Sequence, residues 1–166
     1  MELYLLRHGD AVDRATGGYK RDEDRPLTDE GEEEVRQAAG ALLKLGVALD
    51  LVLTSPLVRA RQTADLVADA LAPKRGVEVS QALAPGGRPE AILRAVVGVG
   101  PVERVLLTGH MPDLGALAGW LAWGQDAPTI PLRTAGLCRV DLPDHPTPGS
   151  GDLRWLLPPR LLRRLA

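Results

Sequence analysis

Residues 4–11 read YLLRHGDA, an apolar run that ends on Arg7, His8 and Gly9. The residues ELYLL (2–6) predict a buried strand, and such a strand gains nothing structurally from an arginine and a histidine at its exit. In open α/β sheets, ligands bind in the crevice beyond the carboxyl ends of the strands. The stretch therefore predicts an α/β fold whose functional site begins where the first strand ends.

Strands and helices alternate outward from this first strand. Apolar runs predict strands at 2–6, 50–55, 77–83 and 103–110, and helices are predicted at 28–46, 55–71, 90–97 and 112–123. Two late strands, at 135–142 and 151–158, predict an antiparallel pair. Alternation of this kind is typical of parallel strands covered by helices. We expect a three-layer α/β sandwich with helices on both faces of a mostly parallel, mixed sheet.

Composition and charge exclude several classes of protein. The length of 166 residues fits one domain spanning 1–166, and the net charge of −2 argues against a nucleic-acid-binding protein. The single cysteine, Cys138, excludes an internal disulfide and favours a reducing compartment. There is no basic, signal-like segment at the start and no apolar run near the ~18 residues of a membrane span. We therefore expect a cytoplasmic protein that binds no membrane.

Sequence signals mark the starts of two helices and the buried face of the first. Thr28 is a typical N-cap, and Ser55 followed by proline predicts the N-cap of the next helix. Gln62 and Thr63 are expected to pack or to form hydrogen bonds within that helix. The predicted apolar stripe of the first helix comprises Val35, Ala38, Ala39, Leu42 and Leu43. The C-terminal residues RLLRRLA (160–166) predict a surface helix.

Three strand-to-helix junctions carry residues suited to one ligand. The first has Arg7 and His8, the second has Ser55 with Arg59 in the next helical turn, and the third has His110. In a parallel sheet these junctions lie at the same edge, where helix N-termini offer free N–H groups. Because arginine binds phosphate oxygens in bidentate fashion, the combination predicts a pocket for a phosphoryl group.

The histidines suggest chemistry as well as binding. Neutral imidazole attacks phosphorus and forms a covalent phosphohistidine, while a second histidine can donate hydrogen bonds to the transferring oxygens. Neighbouring arginines lower a histidine pKa and so favour the neutral form. No metal or other cofactor is needed, and the contiguous acids Asp22, Glu23 and Asp24 lack calcium-loop spacing.

Four blocks of sequence together resemble the histidine phosphatase superfamily, the phosphoglycerate-mutase-like proteins. They are LRHG (6–9), RPLTDEG (25–31), SPLVRARQTA (55–64) and TGHMP (108–112), in a match that runs from residue 3 to about 121. Within the superfamily, the short length and the RPLT block are most similar to bacterial phosphohistidine phosphatases. The resemblance implies that His8 is the phosphorylated nucleophile and that Arg7, Arg25, Arg59 and His110 form the phosphate pocket. Arg25 is included on this ground alone.

The chain departs from the superfamily pattern after the third predicted strand. Many members carry a glutamate or aspartate there as proton donor, but no acid lies between Glu78 and Glu90. An alkoxide leaving group depends on such a donor, which is worth ~10²–10⁴-fold in rate. Imidazole, with a pKa near ~6.5, can leave already protonated. The missing acid favours phosphohistidine on a protein as substrate, with Asp10, Asp22 and Asp24 left as candidate donors.

Two other functions remain open. One is a phosphatase for a small phosphorylated metabolite, such as a sugar or nucleotide-derived phosphomonoester, which would require one of those acids beside the pocket. The other is a non-catalytic module that binds phosphate and need not use His8 as a nucleophile. The chain shows no obvious roof over the pocket beyond residues 10–24, which suits a phosphorylated protein partner better than a retained metabolite.

Overall fold

A six-stranded sheet forms the centre of the computed structural model, which describes residues 1–166. The strands are β1 (Glu2–Arg7), β2 (Leu51–Thr54), β3 (Val77–Val79), β4 (Arg104–Gly109), β5 (Leu137–Asp141) and β6 (Asp152–Leu157). Their order in the sheet is β3-β2-β4-β1-β5-β6. The first four strands run parallel, whereas β5 is antiparallel to β1 and β6 is antiparallel to β5. The predicted mixed sheet is confirmed.

Five helices cover the two faces of the sheet. They are α1 (Asp29–Lys44), α2 (Val58–Leu71), α3 (Pro89–Gly98), α4 (Asp113–Trp123) and α5 (Pro159–Leu165). Side chains of β1 alternate between two cores. Leu3 and Leu5 join the core under α3 and α4, while Tyr4 and Leu6 join the core under α1, α2 and α5. Because a strand buried on both faces must be apolar throughout, this alternation explains the continuous run ELYLL and confirms the three layers.

The strand register brings the predicted junctions together. β4 lies between β1 and β2, with Gly109 opposite Arg7 and Thr108 opposite Thr54. The carboxyl ends of β1, β4 and β2 are therefore immediate neighbours at one edge of the sheet. The residues that follow these three strands must converge, as the sequence predicts.

Some local predictions are confirmed and others are wrong. The Thr28 hydroxyl oxygen accepts from Gly31 N at 3.0 Å and caps α1. Ser55 does not cap α2, which begins at Val58 after Leu57 as its cap residue. Leu43 is 50% exposed rather than buried. The C-terminal helix packs along α1, with Ala166 beside Gly40, and the buried face of α1 includes Ala41 instead of Leu43.

Other boundaries differ from the predicted ones. β3 ends at Val79, and Gln81–Leu83 form a short 3₁₀ turn instead of continuing the strand predicted over 77–83. A second 3₁₀ turn, Asp22–Asp24, lies within the long loop that precedes α1. The predicted surface helix at the C-terminus buries Leu162, and Cys138 lies in the core as predicted. None of the helices combines the length and apolar character needed to cross a membrane.

Candidate active site

The exit of β1 is held on three sides. His8 N donates to Gly109 O of β4 at 3.1 Å, and Ala135 N lies 3.1 Å from the carbonyls of both Arg7 and His8. On the third side, a Cβ placed on Gly9 would lie 2.5 Å from Gly31 O of α1. Only glycine permits so close a contact between the backbones, which explains the glycine of the Arg-His-Gly sequence. The backbone therefore fixes the position of His8.

His8 is a neutral imidazole with one unprotonated ring nitrogen. Its Nδ1 lies 2.7 Å from Gly9 O, and because a carbonyl only accepts, Nδ1 carries the proton. The other nitrogen, Nε2, keeps its lone pair and accepts from Arg59 Nε at 3.3 Å. Burial, followed by the charges of the nearby arginines, lowers the pKa of His8 to about 4, although the Gly9 carbonyl opposes this shift.

His110 stands beside His8 at the end of β4. The two ring centroids are 5.1 Å apart, and the rings are inclined by 58°. Burial, the proximity of His8 and the charge of Arg59 lower the pKa of His110 to about 3, so this ring is also neutral near pH 7. His110 Nε2 lies 2.8 Å from Ser55 Oγ, whereas Nδ1 is buried without a hydrogen-bond partner.

Three arginines surround the two histidines. Arg7 Nη1 donates to Leu132 O at 2.9 Å, but Arg7 Nε is buried and has no partner. Arg59 is buried and donates from Nη1 and Nη2 to Asp22 O and Oδ2, both at 2.8 Å. Arg25 Nε donates to the other oxygen of that carboxylate, Oδ1, at 2.9 Å. The Asp22 carboxylate thus bridges two of the arginines.

This arrangement is suited to an anion with several oxygens. Two buried nitrogens, Arg7 Nε and His110 Nδ1, have no partner within the protein. Arg59 and Arg25 already hold one anion, the carboxylate of Asp22. The structure therefore brings all five predicted residues to one place, with Arg25 linked through Asp22. No group of three or more His, Cys, Asp or Glu side chains is placed to hold a metal ion.

Comparison with known proteins gives the same family as the sequence blocks. Residues 3–84 match the model of the histidine phosphatase superfamily, branch 1. The phosphohistidine phosphatase SixA of Escherichia coli K12 is 34% identical over 162 residues, which cover 96% of this chain and 94% of SixA. The chain belongs to the histidine phosphatase superfamily.

Two further matches agree with membership of this superfamily. A structure of the protein histidine phosphatase SixA complexed with tungstate superposes with a TM-score of 0.82 at 34% identity, covering 98% of this chain and 99% of SixA. An uncharacterized protein of Picosynechococcus sp. PCC 7002 is 44% identical over 140 residues, or 82% of each chain. The likeness to SixA extends over the whole α/β sandwich, including both late antiparallel strands.

The three candidate proton donors of this histidine phosphatase occupy different places. Asp10 Oδ2 lies 3.4 Å from the Thr28 hydroxyl, and Asp24 lies 3.8 Å from Arg21. Of the three, Asp22 forms ion pairs with Arg59 and Arg25. Burial would raise the pKa of Asp22, but hydrogen bonds and charge from Arg59 and Arg25 outweigh burial and lower it. Asp22 is therefore ionised at neutral pH and has no proton to donate.

Sequence reasoning missed several contacts that hold this site together. Thr63 Oγ1 donates to Arg59 O at 2.8 Å, which confirms the expected hydrogen bond within the helix, and it also accepts from Gly9 N at 3.3 Å, which links the β1 exit to α2. The Asp113 carboxylate is buried and accepts from Gly86 N at 2.8 Å, which ties the loop after β3 to α4. Ser55, expected to cap a helix, instead contacts His110. The sequence signal for this contact was the position of Ser55 directly after β2, because His8 and His110 likewise follow β1 and β4 directly.

Proposed function

We propose that this protein is a metal-independent phosphatase that removes phosphate from phosphohistidine on a protein through a covalent intermediate on His8. The neutral imidazole of His8, with Nε2 unprotonated, supports its role as the nucleophile. The buried nitrogens Arg7 Nε and His110 Nδ1, which have no partner within the protein, support binding of a phosphoryl group. A phosphate-like oxyanion, tungstate, is present in the complex of SixA.

The proposed reaction has two steps. His8 Nε2 attacks phosphorus, a new N–P bond forms, and the N–P bond of the substrate breaks as its imidazole leaves with a proton. Water then attacks phospho-His8 and releases inorganic phosphate. Arg7, Arg25, Arg59 and His110 hold the phosphoryl oxygens in both steps, and such positioning and charge stabilisation supply most of the catalysis in phosphoryl transfer.

The ion pairs of Asp22 with Arg59 and Arg25 are the observation that carries the choice of substrate. This carboxylate lies against Arg59 and Arg25 and cannot protonate an alkoxide. An imidazole leaving group does not need that proton from the enzyme, because its pKa of ~6.5 lets the substrate be protonated beforehand. A negative carboxylate beside the pocket also stabilises an imidazolium and repels a developing alkoxide. The pocket therefore favours a phosphoramidate over an alkyl phosphate.

Room for a substrate protein lies directly beside the pocket. A groove of about 600 Å³ begins at Asp22 and runs between the Asp22–Asp24 turn, residues 56–58 and the loop after β3. Its walls combine carboxylates with the apolar side chains of Pro56, Leu57 and Val58. A histidine displayed on a protein surface can enter the pocket while the flanking chain lies in this groove.

The decisive experiment is capture of the intermediate. Rapid quench with a ³²P-labelled phosphohistidine protein is expected to leave acid-labile, base-stable label on the wild-type enzyme and none on His8→Ala. The control is His145→Ala, which removes an exposed histidine outside the pocket and is expected to keep the label. Label that persists in His8→Ala would overturn the assignment.

A substrate panel tests the leaving-group preference separately. Phosphohistidine and activated aryl phosphates are expected to turn over, with glycerol phosphate slower by a factor near the ~10²–10⁴ of acid catalysis. The slope of log kcat/KM against leaving-group pKa is expected to be steep. A flat slope with rapid alkyl phosphate hydrolysis would instead identify a small-metabolite phosphatase, and binding without turnover would identify a phosphate-binding module.

A further inference from the structure

We propose that Ser55 is a positioning residue that fixes His110 in the tautomer with its proton on Nδ1, so that Nδ1 donates a hydrogen bond to the bound phosphoryl group. This inference rests on the proposed function only in that a phosphoryl group is the ligand. It gives a role to a buried hydroxyl at the end of β2 that the two-step reaction leaves unused.

The hydroxyl of Ser55 has two neighbours and one proton. Ser55 is fully buried, so water does not serve as a partner. Leu57 N lies 3.3 Å from Ser55 Oγ and can only donate, so the hydroxyl oxygen is the acceptor there. The remaining neighbour, at 2.8 Å, is His110 Nε2. The hydroxyl proton of Ser55 can form a hydrogen bond only if His110 Nε2 accepts it.

The opposite tautomer leaves the buried hydroxyl proton of Ser55 without a partner. If His110 Nε2 carried the proton and donated to Ser55, the hydroxyl proton would have no acceptor. His110 Nδ1 has no partner within the protein in either tautomer, so the hydroxyl proton of Ser55 decides between them. A buried polar group without a partner is destabilising, because it has lost its hydrogen bonds to water. Hydrogen-bond accounting therefore selects a neutral His110 with the proton on Nδ1.

The location of this proton decides what His110 can do. A neutral imidazole has one N–H, and the nitrogen that lacks it presents a lone pair. With the proton on Nδ1, His110 offers a donor from the nitrogen that has no partner in the protein. With the proton on Nε2, the same nitrogen would repel a phosphoryl oxygen. The hydrogen bond from Ser55 thus makes His110 Nδ1 a hydrogen-bond donor to the phosphoryl group instead of an acceptor.

Nitrogen-15 NMR of the imidazole rings tests the tautomer directly. The chain has three histidines, so the three ring systems can be assigned by removing one at a time. In the wild-type protein without ligand, at pH 7, we expect His110 Nδ1 to be protonated and Nε2 to carry a lone pair. A proton on His110 Nε2 would overturn the proposal, and this measurement needs no variant of Ser55.

Variants then separate tautomer control from simple packing. Ser55→Ala is expected to shift His110 toward the other tautomer, and Ser55→Thr, which keeps the hydroxyl, is expected to restore the wild-type pattern. Thr108→Val is the matched control, because Thr108 is also fully buried and its hydroxyl lies 2.7 Å from that of Thr54. An unchanged His110 tautomer in folded Ser55→Ala would refute the role of Ser55.

A double-mutant cycle connects the tautomer to catalysis. Ser55→Ala is expected to lower kcat/KM by no more than the ~10²–10³-fold lost when one stabilising donor is removed. In a His110→Ala background the same change is expected to have no effect, since Ser55 acts through His110. Equal losses in both backgrounds would show an independent structural role. Labelling of His8 is expected to persist in Ser55→Ala, so failure here leaves the proposed nucleophile standing.

Discussion

Two neutral histidines buried in a cationic pocket make the stability of this protein depend on pH. The pKa of His8 is lowered to about 4 and that of His110 to about 3, against ~6.5 in an unfolded chain. Below pH 6.5 these two histidines bind protons in the unfolded chain but stay neutral in the folded protein. Stability therefore falls as the pH drops through 6.5, and the loss stops growing only near pH 4 and below.

The size of the effect follows from proton linkage. At pH 5 both histidines are neutral in the folded protein and almost fully protonated in the unfolded chain. Each then lowers the free energy of unfolding by about 2 kcal/mol relative to pH 7, or about 4 kcal/mol together. Because neither folded-state group is protonated at pH 5, the sum does not depend on how far below 5 their pKa values lie.

Urea unfolding at pH 7, 6 and 5 measures this loss, in buffers free of phosphate and other oxyanions that would occupy the pocket. The double variant His8→Gln/His110→Gln is expected to lose about 4 kcal/mol less than wild type between pH 7 and pH 5. His145→Gln is the control for removal of a histidine outside the pocket, and it is expected to follow wild type. Equal losses in wild type and the double variant would refute the buried, neutral state of both rings.

Three further outcomes are expected. Gly31→Ala places a Cβ 2.1 Å from Asp10 O and should lower the free energy of unfolding in urea by at least ~2 kcal/mol. The control Gly98→Ala, whose Cβ has nothing within 4 Å, should be neutral or stabilising. Equal effects of the two variants would contradict the close contact at Gly31. Arg59→Lys loses the planar guanidinium that contacts both Asp22 and His8 and should lower kcat/KM by ~10²–10³-fold. Near-wild-type activity of this variant would show that the guanidinium is not required. Phosphatase activity should survive EDTA, because no metal-ligand cluster is present; loss restored by Mg²⁺ or Zn²⁺ would reverse this.

The catalytic chemistry assigned to His8 and His110 stays a prediction until the labelling experiment, but their convergence was predictable from sequence. An apolar run that ends on Arg-His-Gly or Gly-His indicates the carboxyl end of a strand. This indication does not depend on the order of the strands in the sheet. Arg25 is a different case, because only its resemblance to a superfamily block singled it out. In the structure it reaches the pocket through the Asp22 carboxylate.

The sequence by itself determined the alternation of strands and helices, the caps such as Thr28 and the apolar run of β1, because these depend on residues within a few positions of one another. Tertiary structure alone decided that β4 lies between β1 and β2, and that order places Ser55 2.8 Å from His110, 55 residues away. It also decided that Asp22 is ionised, since its pKa depends on Arg59 in a distant helix. Hydrogen-bond partners and local electric fields act through space, so the proton on His110 and the charge on Asp22 are settled only once the sheet has assembled.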